Sequence, residues 1–269
     1  MQTTTQTTEK TDEKYRQLIK DCPICKGVGA ILSRENGYSY AKICSCIEEA
    51  RKKIKAEMRL EFANVPAPLM NVKIRDFDPN LYKDSKSVSL ANNVLKSVCY
   101  FIRNIDEFMA AGKGLYIYSE AKGSGKTMIA AAIANKLLES TSYAVKFATM
   151  VDILKEIKST YDNDSQINES ELLDSLNSVD ILVIDDIGVE TPTAWVRENV
   201  QQIMNTRCLN KQITIFTSNV HINELKYDGR VRSRINEMAI VLKMPEESIR
   251  DMRAENDNYE WTKKMLGVS

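Results

Sequence analysis

Net charge is the first thing this sequence lacks: Lys+Arg and Asp+Glu both total 37. That balance argues against a protein that coats nucleic acid by bulk charge, and leaves room only for local basic surfaces. Long apolar runs are missing as well. No stretch approaches the ~18 uninterrupted apolar residues of a membrane helix, and the opening MQTTTQTTEKTDEK is polar, unlike a secretory signal. A cytoplasmic protein with no membrane association is expected. Histidine is nearly absent. His221 stands alone, without a histidine partner or a nearby cysteine, and reads as a surface residue in a turn. Disorder along most of the chain is excluded by 43% hydrophobic and 28% charged residues, and 269 residues allow one large domain or two modest ones.

Six cysteines are present, four of them between residues 22 and 46: Cys22 and Cys25 in CPIC, Cys44 and Cys46 in CSC. Two disulfides would suit a secreted mini-domain, which nothing here marks. A redox CxxC usually sits near a βαβ pattern, and none surrounds residue 22. Paired knuckles separated by a short excursion supply the four soft ligands of a tetrahedral structural metal site, and the lack of an iron–sulfur spacing favours Zn2+ over iron. Between the pairs, KGVGAILSRENGYSYAKI reads as two strands joined by a turn at Asn36–Gly37. Cys99 and Cys208 lie alone in apolar periodic segments and read as buried small hydrophobes.

The chain divides by pattern into a polar tail (1–20), a zinc-binding module (21–62), a linker (63–85), an α/β domain (86–255) and a C-terminal tail (256–269). In the module, Ile47, Ile54, Met58 and Phe62 share one helical stripe, beside a basic face that is either solvated or docks a partner. Three prolines in NVPAPLMNVKIRDFDPN break periodicity and mark the linker. From about residue 86, helical and strand patterns alternate as in a parallel α/β sheet. SVSLANNVLKSVCYFIRNIDEFMAA reads as one amphipathic helix, and the polar interval DNDSQINES separates two shorter ones.

Strand GLYIYSE, loop AKGSGKT and the Ala-rich helix MIAAAIANKLLES follow in the order a phosphate-binding loop requires. Gly123 and Gly125 let backbone amides cradle phosphate oxygens, Lys126 reaches the β- and γ-phosphates, and the Thr127 hydroxyl ligates Mg2+. Glu120 stands where the consensus has its leading glycine. VDILVIDDIG is a strand buried on both faces and tipped by Asp185, suited to hold Mg2+, and Asp186, suited to orient or deprotonate the attacking water. QITIFTSNV is a third buried strand. Asn219 at its tip positions water beside the γ-phosphate, or simply caps the loop. In DGRVRSRI, Arg230, Arg232 and Arg234 alternate; they are ordinary solvated charges, or fingers acting on a neighbouring subunit's γ-phosphate.

GSGKT, NSVDILVIDDIGVETPTAW, TIFTSN, RVRSRI and SIR, in this order, resemble the DnaC/DnaI/IstB group of AAA+ ATPases over about residues 86–253. The CPIC…CSC module is similar to the N-terminal zinc module of DnaI-type and phage DnaC-like helicase loaders. The resemblance implies an AAA+ P-loop core with a central parallel sheet, preceded by a small four-cysteine module and helix. It implies ATP and Mg2+ at the interfaces of an ATP-dependent homo-oligomer, a grip on a hexameric DnaB-type helicase, contact with single-stranded DNA, and a bacterial or phage origin. By the same resemblance Gly123–Thr127 form Walker A, Asp185 and Asp186 Walker B, and Asn219 sensor 1. Arg234 is the finger, with Arg230 beside it. Arg250 is the terminal S-x-R arginine at the nucleotide, and Tyr161 is a base-stacking residue. Many relatives carry Glu at the position of Asp186. One methylene less retracts the carboxylate by ~1.5 Å, which implies slow, switch-like turnover. An IstB-like helper of a transposase on duplex DNA is the alternative; the four-cysteine module suits the loader better.

Overall fold

A computed structural model of the chain describes residues 13–35, 38–161 and 168–266. The expected turn at 36–37, the first twelve residues, 267–269 and most of the DNDSQINES interval lie outside the described residues. Two compact units divide between Phe62 and Ala63.

In the first unit residues 13–19 are helical rather than a featureless tail. Lys14 pairs with Glu57 and Glu61 at 3.3 and 3.6 Å, and Ile19 is buried. Strands β1 (Ala30–Glu35) and β2 (Tyr38–Ile43) pair antiparallel in register, Ala30 opposite Ile43. Helix α1 (Ser45–Ala63) follows. Only part of the anticipated stripe is covered: Ile54 is buried, but Met58 and Phe62 remain about half exposed, and Ala50 takes their place inside.

The second unit is a five-stranded parallel sheet wrapped by helices. Helix α2 (Ser85–Arg103) is followed by α3 (Ile105–Ala111), because Asn104 breaks what periodicity alone reads as one helix. Then come β3 (Gly114–Tyr118), α4 (Lys126–Ser140), β4 (Val145–Thr149), α5 (Met150–Ser159), α6 (Glu169–Ser178), β5 (Ile181–Asp185), α7 (Ala194–Leu209), β6 (Ile213–Ser218), α8 (Gly229–Met238), β7 (Ala239–Lys243) and α9 (Ile249–Leu266). The strand order is β4-β5-β6-β3-β7. All four pairings are parallel, which requires the helical crossovers between the strands. β5 and β6 are buried at every position, as central strands covered on both faces must be.

Two boundaries drawn from pattern are corrected. The segment 63–85 is not a free linker: Ala63, Val65, Phe77 and Tyr82 are buried in the same core as α2 and α4. Its prolines end helical periodicity yet fit two of the segment's three short 3-10 turns. Asn135 on α4 binds the carbonyls of Leu69 and Val72 at 2.8 and 2.9 Å. The stretch from 256, read as a tail, continues α9 to Leu266. Cys99 and Cys208 are only half-buried.

Arg207 on α7 is wholly buried, and among the described residues no carboxylate pairs with its guanidinium. Its nitrogens donate to Leu176 O, Val179 O, Ile213 O and Thr214 Oγ1, tying α6 and the starts of β5 and β6 together. Burial pushes its pKa down to about 9, opposed by Asp180. Arg207→Met would leave those acceptors unmatched in the core. A loss of roughly 3 kcal/mol, read as a fall of about 6–12 °C in Tm, is expected; an unchanged melt would refute it.

Candidate functional site

The loop Ser119–Gly125 carries the chain from β3 into α4. Gly123 and Gly125 adopt φ of +78° and +94°, a region costly for other residues. A Cβ on Gly123 would also meet Ser248 Oγ at 2.6 Å. Glu120, in place of the consensus glycine, needs no positive φ. Helices α2, α5, α7 and α8 are capped by Asp84, Thr149, Thr193 and Asp228. Helix α4 starts from Gly125 with no side-chain cap, so its first-turn amides and positive dipole end face a potential anion unscreened.

Lys126 is buried at that helix start. Its ammonium donates to the carbonyls of Ser119 and Ala121, both at 2.9 Å, and to Ser124 Oγ at 3.2 Å. Burial lowers its pKa, while Asp186, Glu246 and Asp185 counteract. Asp185, at the end of β5, is also buried; desolvation raises its pKa, opposed by hydrogen bonds from Thr217 and Thr127. The Thr217 hydroxyl donates to Asp185 Oδ1 at 2.5 Å and accepts from the Asp186 amide at 2.9 Å. One threonine on β6 thus holds the Asp185 carboxylate and the Asp186 backbone. Asp186 sits at φ +55°, a conformation Asp tolerates better than most residues. The Thr127 hydroxyl beside the Asp185 carboxylate is an all-oxygen pair of the kind Mg2+ takes.

Lys126, Thr127 and Asp186 border a cleft of about 780 Å³, lined also by Gly123–Gly125, Asn219 and Arg250, with Asp185 and Thr217 behind them. Arg253 and Asp257 on α9 line it too, and Leu69, Phe77 and Leu81 from segment 63–85 give it an apolar end. Tyr82, from the same segment, donates its hydroxyl to Ser124 O at 2.8 Å. Tyr82, Thr217 and Arg253 escape sequence reasoning. Thr217 reads as a strand-tip polar residue, and Tyr82 falls in a presumed linker.

Arg230 and Arg234 are not brought to this cleft. Both are on α8, where Arg234 pairs with Glu237 at 2.8 Å and donates to Asn205 Oδ1 at 3.3 Å. Arg232 is spent internally on the carbonyls of Leu225 and Tyr227. Tyr161, at the end of α5, is 54% exposed and accepts a hydrogen bond from Trp195 Nε1 at 3.3 Å, the rings edge to face. His221 is half-buried and caps a short turn, accepting from the Asn223 amide.

In the first unit the four sulfurs of Cys22, Cys25, Cys44 and Cys46 all lie within 4.8 Å of one another. Cys22–Cys44 and Cys25–Cys46 are 3.8 and 3.4 Å apart. Tetrahedral Zn–S bonds of ~2.3 Å place sulfurs about 3.8 Å apart, so the set fits that ion. The Gly29 amide donates to Cys25 Sγ at 3.2 Å. Desolvation opposes ionisation of Cys25, yet this amide and the neighbouring thiols draw its pKa down, while desolvation and the same sulfur contact push Cys46 up.

The glycine loop between β3 and α4, the acids on β5, and β6 inserted between those two strands define an AAA+ P-loop fold. Residues 33–229 match the family described as IstB-like ATP binding protein. The replicative helicase loader DnaC of Escherichia coli (strain K12) is 34% identical over 133 residues, covering 49% of this chain and 52% of that protein. The replicative helicase loader DnaI of Bacillus subtilis (strain 168) is 33% identical over 135 residues, 50% of this chain and 42% of that one. The match therefore spans about half the length of these curated relatives. Among solved structures, a DnaC helicase loader superposes with a TM-score of 0.54 at 24% identity, over 64% of this chain and 98% of that one. The replication initiator DnaA bound to AMPPCP and single-stranded DNA gives 0.53 at 18% identity, over 74% and 56%. The chain belongs to the IstB-like ATP-binding protein family. Among the described residues no helix is long and apolar enough to cross a membrane.

Proposed function

We propose that this protein is a cytoplasmic ATP-dependent loader that delivers a DnaB-type replicative helicase onto single-stranded DNA. One observation carries the reading: the uncapped start of α4 opens, beside buried Lys126, into a cleft bordered by Asp186, with Thr127 against Asp185. The names of the relatives weigh toward a helicase loader over a transposase helper.

In this reading Gly123, Ser124, Gly125 and the first-turn amides of α4 bind the phosphates, and Lys126 leaves its carbonyl partners to meet their charge. Thr127 and Asp185 hold Mg2+, which when bound supplies charge neutralisation at the transferred phosphoryl group. Thr217 aims the Asp185 carboxylate and fixes the Asp186 backbone, and Asp186 accepts a proton from, or orients, a water that Asn219 also holds. Arg250 adds charge from α9, and the apolar end of the cleft takes the base. Arg230 and Arg234, which point elsewhere within one chain, serve the cleft of a neighbouring copy in an ATP-dependent homo-oligomer. The four cysteines hold Zn2+ as a structural ion, since four thiolates leave no open position. The first unit grips the helicase, and exposed Tyr161 stacks on a base of the single strand.

Co-elution with a DnaB-type helicase is the direct measurement. Binding is expected to disappear when residues 1–62 are deleted and to survive Lys126→Ala. A truncated chain that still holds the helicase would overturn this division of labour.

A further inference from the structure

The strap after β7 is laced along the phosphate-binding loop. The Met244 amide donates to Tyr118 O at 2.7 Å, and the amides of Ile249 and Arg250 donate to Gly123 O at 3.0 and 3.2 Å. Between these ends, Glu246 Oε2 accepts from the Ala121 amide at 2.9 Å and lies 3.0 Å from the Ser119 hydroxyl. That hydroxyl is also 2.9 Å from Pro245 O, so its single proton is shared. The next residue faces the other way. Glu247 accepts from the amides of Lys83 and Asp84 at 2.8 and 3.3 Å, at the end of segment 63–85, which walls the apolar side of the cleft.

Glu246 therefore meets the loop where the consensus glycine is replaced by Glu120. A cradle binds phosphate tightly only if its amides are arranged beforehand, because ordering a loop on binding subtracts from affinity. We propose that Glu246 is a positioning residue for the nucleotide: its carboxylate fixes the loop entrance while Glu247 pins the facing wall, so one dipeptide sets the gap the nucleotide fills. This rests on the reading of the cleft as an ATP site.

The Ala121–Glu246 bond is exposed, so its loss leaves no buried orphan and should cost little fold stability. Glu246→Ala is expected to weaken binding of a fluorescent ATP analogue by ~10-fold while the nucleotide-free melt shifts by less than ~2 °C. Glu246→Gln, whose amide oxygen still accepts from Ala121, should recover most of the affinity. Wild-type affinity in Glu246→Ala overturns the proposal, as does a loss in Glu246→Gln equal to that in the alanine variant, which would assign the effect to charge near Lys126. A wild-type chain that binds no analogue overturns the ATP reading itself; normal wild-type binding with an indifferent alanine variant overturns this proposal alone.

Discussion

Excess chelator is expected to unfold the first unit of the intact chain while the second unit melts at its usual temperature. The described part of the first unit buries little besides Ile19, Ala50, Ile54, Cys25 and Cys44, and every position of β2 is exposed. An isolated two-stranded hairpin is marginal in water, and a core this small cannot offset the entropy of ordering its residues. Binding of zinc to four thiolates contributes an apparent ~10–16 kcal/mol in small zinc modules whose unfolded chains hold no preformed site, and this is then the folding free energy of the unit. Cys25→Ser should act like the chelator, because it removes one of the four thiolate ligands while leaving an oxygen that can still accept from the Gly29 amide. The readout is the loss of one of two thermal transitions, with amide signals of residues 13–62 collapsing. A unit that keeps its transition after chelation would mean that the four sulfurs do not hold a metal on which the fold depends.

Arg234→Ala should reduce ATP turnover by roughly 10³–10⁵-fold, the range over which an arginine supplied to the γ-phosphate acts in P-loop enzymes. Among the described residues this side chain is held by an exposed pair with Glu237, by Asn205 and by the Cys208 thiol, contacts that compete weakly with a desolvated phosphate. The wild-type rate is itself expected to be slow, since Asp186 carries one methylene fewer than Glu. Mixing Arg234→Ala with Lys126→Ala separates a finger acting between copies from a structural arginine. Each variant alone is inactive, but a mixture forms some sites with an intact cleft from one chain and an intact arginine from the other. Activity that fails to recover in the mixture, or normal turnover by Arg234→Ala alone, would remove the arginine from the reaction.

Much of the lining of the cleft is legible in the sequence because its parts are contiguous. GSGKT needs successive amides in one loop, and the two acids need one buried strand to carry them, so both leave local patterns. The βα alternation behind the parallel sheet was legible for the same reason: strands covered on both faces are apolar throughout. The segment 63–85 was misread because its core contacts are made by isolated residues among prolines. Phe77 and Tyr82 repeat with no period, and the partners of Leu69 and Val72 lie more than sixty residues away on Asn135. Helix α9 was cut short for the opposite reason: NDNYEWTKKML is too polar to advertise a packed face, yet its start is anchored by Gly123 O.

A glycine loop, an acid pair, four cysteines and the pattern of a parallel α/β core are all written in residues a few positions apart, and so can be read without the fold. Only the tertiary structure decided how those pieces are held. Thr217 spans both aspartates from a neighbouring strand, Glu246 and Glu247 brace the loop and the facing wall from beyond β7, and the supposed linker closes the apolar end of the cleft. Such contacts join residues from 31 to 164 positions apart. No local periodicity encodes them, because they exist only after the strands have assembled in the order β4-β5-β6-β3-β7.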